Sequence, residues 1–159
     1  VTLLKAFSKL IKVKKARLLI LGSGKEKQKL DNFIFKEKLN NCVKIISFDS
    51  YPFKYIALSD VKVLSSTFEG NPNILLEIAC LKKLIISSNC KVGPSEILQQ
   101  GKGGLLFNVG DYKQLYILLK NLKINEKSIQ RKINLSHTYV KKNFKKDISP
   151  LFMKIIKNY

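Results

Sequence analysis

The stretch FEGNPNILLE, residues 68–77, places two of the chain's few carboxylates, Glu69 and Glu77, around a Gly-Asn-Pro-Asn turn and then opens an apolar run. Pro72 suits the first position of a helix. The amides of Asn73 and Ile74 then stand free at a helix N-terminus, a setting that favours phosphate. Gly70 leaves space for a ligand to approach the backbone closely. Glu77 lies one turn past Asn73 on the same face, where a carboxylate accepts hydrogen bonds from vicinal hydroxyls, as acids do for ribose. Glu69, on the loop, reaches the group beyond the phosphates. One loop and one helical turn thus carry the parts to hold a nucleoside diphosphate and an attached sugar. A plainer account is that both acids answer the helix dipole. Glu77 weighs against it, because it interrupts an apolar run where burial of an unpartnered charge is costly.

The surrounding elements must present that loop. Short apolar runs alternate with helical patterns. Strands are predicted at 16–22, 42–48, 61–66, 84–88 and 104–109, and helices at 1–13, 25–39, 51–60, 72–83, 94–101 and 111–122, the last with Asp111 as its cap. Residues 126–157 read as two further helical stretches, broken near Ser149-Pro150. This alternation predicts an α/β, Rossmann-like parallel sheet with helices on both faces. Ligands on such sheets bind beyond the carboxyl ends of the strands, where residues 67–73 fall. The first segment reads as a helix with no strand before it, so the sheet is expected to lack its opening strand, or to receive it from another chain. The chain also begins without Met, as a fragment or processed piece does. The expected organisation is a nucleotide-sugar-binding domain over 1–125 and C-terminal helices over 126–159.

Composition limits the alternatives. Hydrophobic residues make up 45% of 159 residues, enough for a real core. No apolar run approaches the ~20 residues of a membrane span, and the N-terminus lacks the order of a signal peptide. The net charge of +19 suggests an anionic partner. Codon bias toward Lys, Ile and Asn would give the same charge without selection for binding. Arginine occurs only at Arg17 and Arg131, which argues against a nucleic-acid reader. Cys42, Cys80 and Cys90 form no metal or disulfide pattern with the single histidine, His137, so no metal is expected and the thiols are read as reduced, in the cytoplasm.

With these residues in view, FEGNPNILLEIAC resembles the Glu-x7-Glu motif of the retaining family 4 glycosyltransferases. The likeness extends from about residue 2 to 122. LLILGSGKEKQKL, VKIISFDS, ALSDVKVLSS, LIISSNCKVGPSEIL and GKGGLLFNVGD follow one another in the family's order. The resemblance implies the C-terminal, donor-binding half of a GT-B fold. It implies that Glu69 is the catalytic residue at the donor sugar's hydroxyls, and that Glu77 holds the ribose. Gly70, Asn71, Pro72, Asn73 and Ile74 would present backbone to sugar and diphosphate, and Ser47 and Phe48 would line the base. Ser47 stands where the family more usually has glycine, and Lys82 where a helix-end glycine is common. The family also places an Arg and a Lys against the diphosphate, on a loop before the first helix here. These residues and the acceptor-binding N-terminal domain fall outside the 159 residues, so weak donor binding and little turnover are expected of this chain alone.

Other features are discounted. GSGKEKQ, residues 22–28, lacks P-loop spacing and has Lys27 at the third-glycine position of the dinucleotide pattern, so it reads as a tight strand-helix turn. Ser95 and Glu96 have no histidine nearby to make a triad. His137 reads as a surface residue of a C-terminal helix, and Tyr139, Phe144, Phe152 and Ile155 as packing residues. Residues 141–146, KKNFKK, read as a solvated face or a contact with an anionic membrane surface. The leading expectation is a glycosyltransferase half that moves a sugar, with retention, from a nucleotide diphosphate sugar to a glycan or lipid-linked acceptor, at the inner face of the cell membrane. The competing readings are an inactive or split-gene fragment that binds nucleotide only, and a basic nucleic-acid or membrane-surface binder.

Overall fold

A computed structural model of the chain describes residues 1–70 and 72–144. Asn71, the break at Ser149-Pro150, Phe152 and Ile155 lie outside the described residues. In chain order the elements are α1 (Thr2–Leu10), β1 (Leu18–Leu21), α2 (Lys27–Lys36), β2 (Val43–Ile46), α3 (Phe53–Leu58), β3 (Val61–Leu64), α4 (Asn73–Cys80), β4 (Leu84–Ser88), α5 (Pro94–Ile97), β5 (Leu105–Phe107), α6 (Tyr112–Asn121) and α7 (Lys127–Asn143), with a 3₁₀ turn at Gln99–Gly101. The predicted alternation holds over residues 1–122, with most element ends drawn inward. The predicted helix at 94–101 resolves into α5 and the 3₁₀ turn, because Gln99 and Gln100 adopt positive φ.

The chain divides into two compact units, Val1–Lys54 with Asp111–Leu122, and Tyr55–Gly110 with Lys123 onward. In the first unit β1 and β2 pair in parallel, from Leu18 opposite Val43 to Leu21 opposite Ile46. α1 packs on α6, burying Leu4, Ala6, Phe7 and Leu10 against a stripe containing Leu115 and Leu119. Full burial of a Leu or Phe side chain is worth about 1.5–3 kcal/mol. Polar contacts fix the register of this pair: the Lys5 ammonium lies 5.6 Å from the Tyr112 ring centroid, and Lys14 Nζ donates to the Leu122 carbonyl at 2.8 Å. The predicted cap of α6 is present, with the Asp111 side chain accepting from the Gln114 amide at 2.9 Å.

In the second unit β3, β4 and β5 form a parallel sheet in that order. β4, with a ladder on each side, is buried at every residue, as its continuous apolar run requires. β3, paired only with β4 among the described residues, is half-buried throughout, and so is β1, paired only with β2. β3 carries Lys62, whose ammonium burial pushes below the ordinary lysine pKa. α4 and α7 pack on one another and on β4. α7 buries Ile129, Ile133, Ser136 and Val140, a single helical stripe. Tyr139 and Phe144 stack at 5.9 Å, a packing role for both.

Candidate functional site

The loop from β3 into α4 is tied down on two sides. Where β3 ends, Ser88 Oγ on β4 donates to the Ser66 carbonyl at 2.6 Å. Where α4 begins, the buried Pro72 ring lies against Gly93, the residue that opens α5. Gly93 has φ +90°, and a Cβ there would stand 2.3 Å from Pro72 Cδ. Only glycine allows both the conformation and the approach. The sequence reading missed this pairing; its one signal is the Gly93-Pro94 step, a turn dipeptide well separated from the acidic motif.

With its start held this way, α4 receives no side-chain cap. The Leu75 amide turns back to the Pro72 carbonyl at 2.8 Å, and the amides of Asn73 and Ile74, at the first two helical positions, have no helical acceptor. Asn73 is exposed and Ile74 half-buried. Gly70 is exposed, and no protein atom lies within 4 Å of where its Cβ would stand, so no intramolecular contact demands glycine there. Glu69 is half-buried beside the exposed Phe68.

Glu77 projects from a helix that buries Leu75, Leu76, Ile78, Ala79 and Cys80 around it. It is itself half-buried, and that burial raises its carboxyl above the ordinary glutamate value. No cation among the described residues pairs with it: the ion pairs there are Lys27–Asp31, Lys29–Glu26 and Lys54–Asp49. A half-buried carboxylate left without a cation, one turn from uncapped amides, has its hydrogen-bonding capacity open. Beside it, burial pushes the Cys80 thiol up to about 11, so it acts as a packing group.

Ser47 and Phe48 belong to the first unit. Both are exposed beyond the end of β2, Phe48 at 82%. Their loop is held by Asp49, which accepts from the Tyr51 amide at 2.8 Å and pairs with Lys54 at 2.8 Å. Tyr51 and Phe53 meet edge to face at 5.6 Å. Glu69, Gly70, Pro72, Asn73, Ile74 and Glu77 share a loop and a helix of the second unit.

The discounted features are structural. Lys27 and Lys29 pair with Asp31 and Glu26 along α2, and Gly22 turns at φ 129°. Glu96 is exposed on the short α5. A concavity of about 450 Å³ is lined by α7 residues alone, among them Lys127, Arg131 and Leu135, and takes in no predicted site residue. His137 departs from expectation. It is half-buried, and its Nδ1 lies 3.1 Å from the Ala79 carbonyl. Its i, i+4 place beside the buried stripe of α7 was the available signal. Lys82 adopts φ 50°, the left-handed conformation for which a helix-end glycine is suited.

Parallel sheets flanked by helices define the class: one half of a GT-B architecture. The crystal structure of Anabaena Alr3699/HepE in complex with UDP-glucose aligns with 99% of this chain over 44% of its own, with a TM-score of 0.82 at 16% identity. Residues 1–138 match the family model "Glycosyl transferases group 1", and the chain belongs to that family. Among curated relatives, an uncharacterized glycosyltransferase of Methanocaldococcus jannaschii is 43% identical over 52% of this chain and 20% of its own. The N-acetylgalactosamine-N,N'-diacetylbacillosaminyl-diphospho-undecaprenol 4-alpha-N-acetylgalactosaminyltransferase of Campylobacter jejuni is 30% identical over 70% of this chain and 30% of its own. The matched region thus spans a third or less of these relatives. Among the described residues no helix is long and apolar enough to cross a membrane.

Proposed function

We propose that this chain is the donor-binding half of a retaining family 4 glycosyltransferase, acting on a nucleotide diphosphate sugar. The observation that carries the reading is Glu77: half-buried, unpaired by any cation among the described residues, and one turn from the uncapped start of α4. In this reading the amides of Asn73 and Ile74 meet the diphosphate, with the backbone of Gly70, Asn71 and Pro72 alongside. Glu77 accepts hydrogen bonds from the ribose hydroxyls, and Glu69 holds the donor sugar's hydroxyls at the reacting end. The acceptor hydroxyl oxygen bonds to the anomeric carbon on the face from which the diphosphate departs, its proton passes to the departing diphosphate oxygen as the bond to that oxygen breaks, and the leaving charge is met by dipoles fixed before the reaction. No metal takes part. The acceptor is a glycan or a lipid-linked glycan, as the name of the Campylobacter relative suggests, and the site of action is the cytoplasmic face of the cell membrane.

Titration of the 159-residue chain with UDP and GDP, followed by amide NMR, tests the reading. Saturable shifts at residues 70–77 that Glu77→Ala abolishes are expected. Absence of binding by either nucleotide, or binding indifferent to Glu77→Ala, would sink it. RNA or anionic-vesicle binding that depends steeply on salt and ignores Glu77→Ala would favour a charge-driven role. Sugar transfer is expected to be little or none with these 159 residues alone and to appear when an acceptor-binding domain is supplied.

A further inference from the structure

α4 has only two turns and is held by its buried side chains against β4 and α7, with its two ends completing that placement. Pro72 against Gly93 holds the beginning. At the other end the last carbonyls of a helix lack intrahelical donors. The Ala79 carbonyl accepts from the Lys82 amide at 3.1 Å and retains a second lone pair. His137 Nδ1, at 3.1 Å, uses it. A carbonyl only accepts, so the proton is on Nδ1.

α7, which carries His137, is anchored independently of this contact. Its stripe of Ile129, Ile133, Ser136 and Val140 is buried, Lys132 Nζ donates to the Gly101 carbonyl, and the Leu135 carbonyl accepts from Gln99 Nε2 at 3.5 Å. The imidazole therefore joins a short helix to a long, fixed one, two residues past Glu77. We propose that His137 is a positioning residue for the nucleotide site: its Nδ1–H, donated to the Ala79 carbonyl, sets the rotation of α4 and thereby the direction of the Glu77 carboxylate. This rests on the donor-site reading above. Without the tie, α4 can turn about its axis, and Glu77 and the amides of Asn73 and Ile74 move together.

The test uses two variants of the 159-residue chain. His137→Asn keeps an N–H where Nδ1 stands; His137→Leu fills the space without a donor. With UDP as probe, His137→Leu is expected to bind about fivefold to tenfold more weakly, the scale of one net hydrogen bond, while His137→Asn binds as the parent does. Equal affinity in all three, or equal loss in both variants, overturns the proposal. If His137→Leu does not fold, His137→Gln replaces it: its amide lies one carbon farther out, and affinity equal to that of His137→Asn overturns the proposal. If the parent chain binds GDP and not UDP, GDP replaces UDP as the probe; if it binds neither, the donor-site reading fails and the tie is read without ligand, from the titration of the Glu77 carboxyl by carbon NMR. That carboxyl is expected to stay raised in His137→Asn and to fall toward the ordinary range in His137→Leu; an unchanged titration in His137→Leu overturns the tie as well.

Discussion

α4 and α6 are both short helices entered from a strand, and they begin in opposite ways. α6 follows β5 through residues 108–111 and starts under Asp111, whose carboxylate accepts from the Gln114 amide. α4 follows β3 through residues 65–72 and starts with no side-chain cap. The acid associated with α4 lies a turn inside the helix, half-buried, where it cannot cap the amides and meets no cation among the described residues. The first helix satisfies its orphan groups with its own side chain; the second leaves amides and a carboxylate open on one surface. That contrast separates a helix end capped by its own side chain from one whose first amides have no helical acceptor, the end to which the proposed function assigns the diphosphate.

Breaking the frame of α4 should have the largest effect. Gly93→Val places a branched side chain at positive φ and into the Pro72 ring, and is expected to cost about 2–4 kcal/mol in urea unfolding, with loss of UDP binding. Next in size, Glu77→Gln should weaken UDP about tenfold to a hundredfold, the range for hydrogen bonds to a charged group, as read by calorimetry. The same substitution should not destabilise the fold at neutral pH. The Glu77 carboxyl is raised in the folded state, so the cost of its ionisation is absent below the ordinary value of 4.5 and sets in as pH rises through the raised value. Unfolding curves of parent and Glu77→Gln should therefore coincide in acid, with the variant gaining relative stability toward pH 7. Removing the other kind of helix start, Asp111→Ala should cost about 1 kcal/mol of stability and leave UDP affinity unchanged. The smallest effect is expected from Lys82→Gly, which relieves the left-handed conformation at the end of α4 and should raise stability by about 0.5–1 kcal/mol.

Much of this was readable from the chain. The continuous apolar run of residues 84–88 reads as a buried strand, and β4 is one. Asp111 reads as a cap because its side chain is short and precedes a helical stripe, a local matter. Glu69 and Glu77 stand out because carboxylates are scarce and one of them breaks an apolar run. Other features depend on residues far apart in sequence, and the local pattern does not name the partner. Pro72 meets Gly93 across two loops, and Ser88 meets Ser66 across two strand ends. His137 looked like a surface residue because a lone polar side chain on a basic helix usually is one, yet it reaches a carbonyl 58 residues away.

By itself, then, the order of residues determined the alternation of strands and helices, the cap of α6 and the presence of an acid-flanked turn before α4. These follow from side-chain periodicity and backbone preference, which act over a few residues. Only the tertiary structure decided that α4 is held at both ends, that Glu77 is half-buried with no ion-pair partner among the described residues, and that His137 reaches the Ala79 carbonyl. Burial and pairing are set by which distant segments come into contact, and no local pattern specifies that.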